Sequence, residues 1–164
     1  MFFSSQAFVL IHVAISLAAI AAGLVAVADL AAGRLRAGWT AAFLWLTLAT
    51  SLTGFLFPIS VFTPALAFGV LSTVLLALAF AALYRFHLAG AWRVVYVVTA
   101  IAALWLNVFV LIVQAFQKVG PLHALAPTGA EPPFAAAQVA ALAILVWAGW
   151  RSLKRFRPAT TRPV

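Results

Sequence analysis

Eight residues of this chain carry side chains able to do chemistry within or beside an apolar medium: His12, Asn107, Gln114, Gln117, Lys118, His123, Glu131 and Gln138. Their types restrict that chemistry. Amides and imidazoles hold ligands through donors and acceptors, and an amide does not ionise. The two acids, Asp29 and Glu131, lie at opposite ends of the apolar runs, and cysteine is absent, so neither a carboxylate nor a thiolate metal site is expected. A hydrolase needs nucleophile, histidine and acid in one place, and the acid nearest His123 is claimed below for a helix start. Haem needs two histidines facing each other at one depth. Of the three histidines only His12 and His123 could meet, and only if a loop folds inward. The expectation is therefore no catalytic residue, no metal and no cofactor, with these eight residues as candidates for binding a small polar, lipid-like or quinone-like molecule.

The elements that must position them are apolar helices. Hydrophobic residues make up 67% of the 164 positions and charged ones 7%, whereas soluble domains average about a quarter charged. Too few polar residues remain to give helices a wet face, so the expected solvent is a bilayer. Spanning takes about 20 mostly apolar residues, and five runs qualify: 7–28, 40–57, 65–84, 94–116 and 134–150. The first has no positive region ahead of it and is longer than the ~7–15 residues of a signal-peptide core, so it is read as a retained helix. Residues 1–150 read as one transmembrane domain and 151–164 as a basic tail.

The charges orient the helices. With the N-terminus outside, Arg34, Arg36, Arg85, Arg93, Arg151, Lys154, Arg155, Arg157 and Arg162 fall on the inner side and Lys118 alone on the outer, nine against one. Such asymmetry over short loops is the positive-inside signal, and Trp39, Trp92 and Trp150 join it as interfacial aromatics at the inner ends. The expected fold is all-α, a polytopic five-helix bundle with the N-terminus outside and the C-terminus cytoplasmic. The net charge of +8 then serves orientation, and nucleic acid is not an expected partner. Anionic lipid headgroups at the basic tail are. An odd number of spans argues against a simple inverted repeat.

Spacing sorts the intramembrane polar residues. His12, Ser16, Ala19, Gly23 and Ala26 share one face of the first span, and Thr47, Thr50, Ser51 and Gly54 one face of the second. Both read as packing seams, where small residues let backbones approach. In the fourth span Thr99, Ala103, Asn107, Val110 and Gln114 form one stripe whose amides lipid does not satisfy. At ~1.5 Å per residue Asn107 lies near mid-bilayer, with His12, Gln114 and Gln138 in the outer part. A polar pocket open to the outer face is one reading; interhelical hydrogen bonds of ~0.6–2 kcal/mol each are the other.

The loop 117–133 is longer than ordinary helix connections. Pro121 suits the first turn of a short interfacial helix. Glu131 before Pro132 and Pro133 suits the residue that starts the fifth span, since a residue preceding proline is pushed out of helical geometry and a carboxylate favours the positive helix end. Lys118 and Glu131, the single outer cation and anion, are expected to pair.

The string NVFVLIVQAFQKVGPLHALAPTGAEPPF, with YVVTA ahead of it, resembles a family of short bacterial inner-membrane proteins of unknown function. That resemblance implies a multi-pass protein of the bacterial cytoplasmic membrane and carries over no catalytic residue. Two functions remain open. One is a membrane-embedded binding or transport component with an outward polar pocket. The other is an accessory subunit or homo-oligomer whose stripe docks another membrane protein or a second copy. A haem- or quinone-linked redox subunit is the minor alternative.

Overall fold

The computed structural model describes residues 5–57 and 64–158. The two-proline turn read at 58–64 lies outside them except for Pro64, as do Arg162 and the chain's first four residues. Ser5 starts α1 (Gln6–Ala31) by accepting the Phe8 N–H on its hydroxyl at 3.2 Å, satisfying one of the orphan donors every helix start leaves. There follow α2 (Ala37–Phe55), α3 (Pro64–Phe80) running into a π turn (Ala81–Arg85), α4 (Trp92–Lys118), the short α5 (Gly120–Leu125) and α6 (Pro132–Arg155). No strand occurs among the described residues.

The five expected spans each correspond to a long helix. The helices overrun the apolar runs at most ends: α1 ends at Ala31, α4 extends to Lys118 and α6 to Arg155. Backbone hydrogen bonding continues past the point where composition turns polar. Four helical stretches, Gln6–Ala31, Leu66–Arg85, Trp92–Lys118 and Pro132–Arg155, are long and apolar enough to cross a membrane. The remaining long helix, α2, carries Thr40, Thr47, Thr50, Ser51 and Thr53 within its 19 residues.

Contacts close the helices into a ring. α1 packs on α2, α2 on α3, α3 on α4, α4 on α6 and α6 back on α1, while α1 and α4 touch across the middle. Small residues permit that central contact. Ala19, Gly23 and Ala26 of α1 are buried as the spacing predicts, and Gly23 faces Phe43 of α2 and Leu104 of α4. A Cβ built on Gly23 would lie 2.7 Å from Leu104 Cδ1 and 2.8 Å from Phe43 Cδ2. Large apolar side chains such as Leu10, Trp45, Val74, Val98 and Ile144 point outward, as helices solvated by lipid present them.

The eight basic residues described outside the loop gather at one end of the ring. Several fasten it. Arg151 Nε donates to the Ala31 carbonyl at 3.2 Å, capping the C-terminus of α1 from α6. Arg93 at the start of α4 donates to Leu153 and Phe156 carbonyls at 2.9 and 2.8 Å, capping α6. By sequence spacing, Asp29 with Arg34 and Arg36 close by reads as a solvated local pair. The pairs form, but Asp29 is only 2% exposed. The turn after α1 folds back through Gly33 (φ 80°), the Arg34 N–H binds the Asp29 carbonyl, and both guanidinium groups close over the carboxylate. Between the π turn and α4 the chain reverses through His87 and Leu88, both at positive φ (47° and 60°). Left-handed backbone costs ~1–2 kcal/mol per non-glycine residue. Burial of Leu88 and the stack of Phe86 on Trp92, 3.8 Å apart and nearly parallel, offset it.

A candidate ligand cradle and a polar seam

Six of the eight candidate residues fall into three places, and Gln114 and Lys118 are exposed outside them. His12 and Asn107 belong to a seam organised by α2. The Asn107 amide donates to Thr47 Oγ1 at 3.3 Å, and Ser51 donates to Ser72 of α3 at 3.3 Å. His12 Nδ1 lies 2.8 Å from Thr53 Oγ1. The Thr53 hydroxyl already donates to the Ala49 carbonyl at 2.7 Å, so the imidazole is the donor and carries its proton on Nδ1. One helix thus binds α1, α3 and α4 through its hydroxyls. The stripe on α4 divides accordingly. Thr99 and Ala103 are buried and Asn107 is half-buried, but Val110 and Gln114 are exposed. The expectation of one continuous inward stripe is corrected here: above Asn107 the face of α4 is left uncovered, and Gln114 reaches out of the bundle.

Gln138 lies elsewhere. Its Nε2 donates to the Phe109 carbonyl at 3.2 Å, joining α6 to α4, while its Oε1 is buried without a hydrogen-bond partner.

The third place is a cradle at the loop end of the bundle, a cavity of about 200 Å³. Val113, Phe116 and Gln117 at the end of α4 form one wall. His123 of α5 and the 126–129 turn form the rim, and Phe134 at the start of α6 closes the far side. The two phenyl rings meet edge to face, 5.5 Å apart. Local sequence builds each part. Pro121 sits in the first turn of α5, as expected, and Gly129 turns the chain at φ 74°. His123 Nδ1 lies 3.3 Å from the Phe116 carbonyl, which can only accept, so Nδ1 carries the proton. Nε2 is then the free atom, an acceptor in the neutral ring.

Glu131 occupies the residue before α6 with extended backbone (φ −74°, ψ 155°), but its side chain does not cap that helix. It turns back. Oε1 accepts the Thr128 N–H at 3.1 Å and the Thr128 hydroxyl at 2.9 Å, and Oε2 accepts the Ala130 N–H at 3.0 Å. Partial burial pushes the Glu131 carboxyl up, yet these bonds to the ionised form outweigh it and hold the group below the usual carboxylate range. The expected Lys118–Glu131 pair does not form: among the described residues, ion pairs occur only at Asp29. The carboxylate is committed to the turn, and Lys118 is exposed.

Of the eight candidates the cradle therefore brings together Gln117 and His123, with Glu131 holding its rim from behind. Lys118, Gln114, His12, Asn107 and Gln138 do not line it. Phe116, Thr128 and Phe134 line it although none is among the eight. A phenylalanine at either border of a long loop was the available signal. His12 and His123 are held by different partners, and no group of three His, Asp or Glu residues able to hold a metal occurs among the described residues. No family model, no curated protein and no solved structure matches the chain.

Proposed function

We propose that this protein crosses the bacterial cytoplasmic membrane five times, N-terminus outside and basic end inside, and binds a small amphipathic molecule in the cradle facing the outer side. The span beyond the four that length and composition alone identify is α2. At ~1.5 Å per residue its 19 residues reach about 28 Å, near the ~30 Å hydrocarbon core, and its Thr47, Ser51 and Thr53 hydroxyls are turned to partners in other helices.

One observation carries the ligand reading: an aromatic-walled cavity whose free polar atoms are mostly acceptors. His123 Nε2 accepts, and Thr128, having donated its proton to Glu131, can only accept. The Gln117 amide is the one side chain offering both functions. The ligand that fits presents a hydroxyl or amine to these acceptors and an apolar body to Phe116 and Phe134. A quinone, which only accepts, fits less well. Native mass spectrometry of protein extracted from its own membranes tests this. A co-purifying small molecule is expected with the wild type and with Asn107→Leu, and is lost with His123→Phe, which keeps the ring volume and removes the acceptor. Equal retention by both variants would overturn the assignment to the cradle.

A second reading, an accessory subunit, is favoured by the seam. Asn107 and His12 are engaged within this chain, so the surface left to a partner protein is the uncovered face of α4 around Gln114. Orientation has its own check, because the chain has no cysteine. A membrane-impermeant maleimide should label Ala130→Cys in intact cells and spare Arg157→Cys. The reverse pattern would invert the topology.

A further inference from the structure

The positive residues of the basic end are not equivalent. Arg34 and Arg36 share the single carboxylate of Asp29, and Arg93 is engaged by the carbonyls of α6. Of the other cations at this end, Arg85 lies in the π turn and the rest cluster at the end of α6, where Arg151 and Lys154 share one face. Trp147, Trp150, Arg151 and Lys154 follow at intervals of three, one and three, which places them on a single side of the helix. Both indoles are 54% exposed. Lys154 Nζ sits over the Trp150 ring at 4.0 Å, and Arg151 Cζ lies 5.5 Å from the Trp147 ring. Towards the loop end the Trp150–Lys154 flank of that side continues with the exposed Val139 and Val146.

Read along the helix, this face is apolar, then indole, then cationic. A glycerophospholipid presents the same order: acyl chains, ester carbonyls that accept from an indole N–H, then phosphate. Among the described residues no acid competes for these cations. Of the two acids in the chain, Asp29 is buried under its own arginines and Glu131 is at the other end. The carbonyls ending α6 add negative charge that favours cations there, but Arg93 and the Phe156 N–H engage part of that terminus. The Arg151 side chain is held in place by its bond to the Ala31 carbonyl, so one cation is positioned before any lipid arrives.

We infer that the Trp147–Lys154 face of α6 is a binding site for an anionic phospholipid, with the phosphate on Arg151 and Lys154 and the acyl chains along Val139 and Val146. The site is separate from the cradle. It narrows the charge of the whole basic end to one helix face, and that is what the test addresses.

The full-length protein in detergent is titrated with phosphatidylglycerol or phosphatidylcholine, and bound lipid is counted by native mass spectrometry. Wild type is expected to retain phosphatidylglycerol in preference to phosphatidylcholine. Lys154→Gln should weaken retention about fivefold, the equivalent of ~1 kcal/mol for one basic residue near an anionic surface. Trp150→Leu should also weaken it. Arg85→Gln removes the same charge from the same end but from the π turn, and should leave retention unchanged. Equal loss in Arg85→Gln and Lys154→Gln would show a diffuse field instead of a site, and equal retention of the two lipids would remove the anionic specificity. Either result overturns the inference.

Discussion

Substituting alanine for Gly23 tests the central helix contact with a predictable sign. The new methyl would lie 2.7 Å from Leu104 Cδ1 and within 2.9 Å of two Phe43 ring atoms. Leu104 and Phe43 are themselves fully buried, so neither has free space to retreat into, and a phenyl ring yields less than the tip of a leucine. Overpacking a filled core costs ~1–3 kcal/mol. Against this, alanine is favoured over glycine inside a helix by about 1 kcal/mol, leaving a net destabilisation of about 0–2 kcal/mol. Gly149→Ala is the matched control. It too lies inside a helix, but its Cβ would meet Ile101 at 3.5 Å, an ordinary contact, so the helix term stands alone and the variant should be neutral or up to about 1 kcal/mol more stable. Thermal or denaturant unfolding in one detergent, followed by far-UV circular dichroism, gives both differences. Leu104→Ala should cost less in the Gly23→Ala background than in the wild type, because the added methyl fills part of the space the leucine vacates. If Gly23→Ala is stabilised as much as Gly149→Ala, α1 does not approach α2 and α4 as described.

Two further outcomes follow from the polar residues. Asn107→Leu removes the donor to Thr47 and should cost ~0.6–2 kcal/mol, whereas Gln114→Leu, at an exposed position, should unfold at or above the wild-type midpoint; a larger loss from Gln114→Leu would contradict the division of the stripe. The carboxyl of Glu131 has a lower pKa in the folded chain than the ordinary 4.5, so its hold on the loop is complete above that value and disappears as pH falls through the lower folded value. Hydrogen-exchange protection of the Thr128 and Ala130 amides should therefore be flat from neutral pH down to about 5 and collapse only in stronger acid, while Glu131→Gln should lose it at every pH; protection that declines already between pH 7 and 5 would argue against the carboxylate as its source.

Much of the helical layout was legible because lipid-facing helices need long apolar runs, and the seam on α1 was legible from spacing alone. What spacing does not carry is which turns of a helix its neighbours cover. Asn107 and Gln114 share a stripe on paper, yet Thr47 reaches the first and the second is exposed. Asp29 and Arg34 were an evident local pair, but burial came from the backbone reversal at Gly33. The cradle was partly readable. Long loop, proline and histidine pointed to it, whereas the inward turn of Phe116 and Phe134 and the backward turn of Glu131 depend on side-chain directions that sequence spacing leaves open. The capping roles of Arg93 and Arg151 were hidden behind their topological one, since a positive charge near a helix end serves both.

The ring is fastened by a clasp between its first and last long helices, Arg151 to Ala31 across 120 residues, backed by Arg93 on the end of α6. That places closure late in biogenesis. Until α6 has been synthesised and inserted, the exposed edges of α1 and α4 must be shielded by lipid or by the insertion machinery, and the Ala31 carbonyl waits without its cap. A nascent chain halted before residue 151 would hold every helix pair up to α4 and still lack a closed bundle.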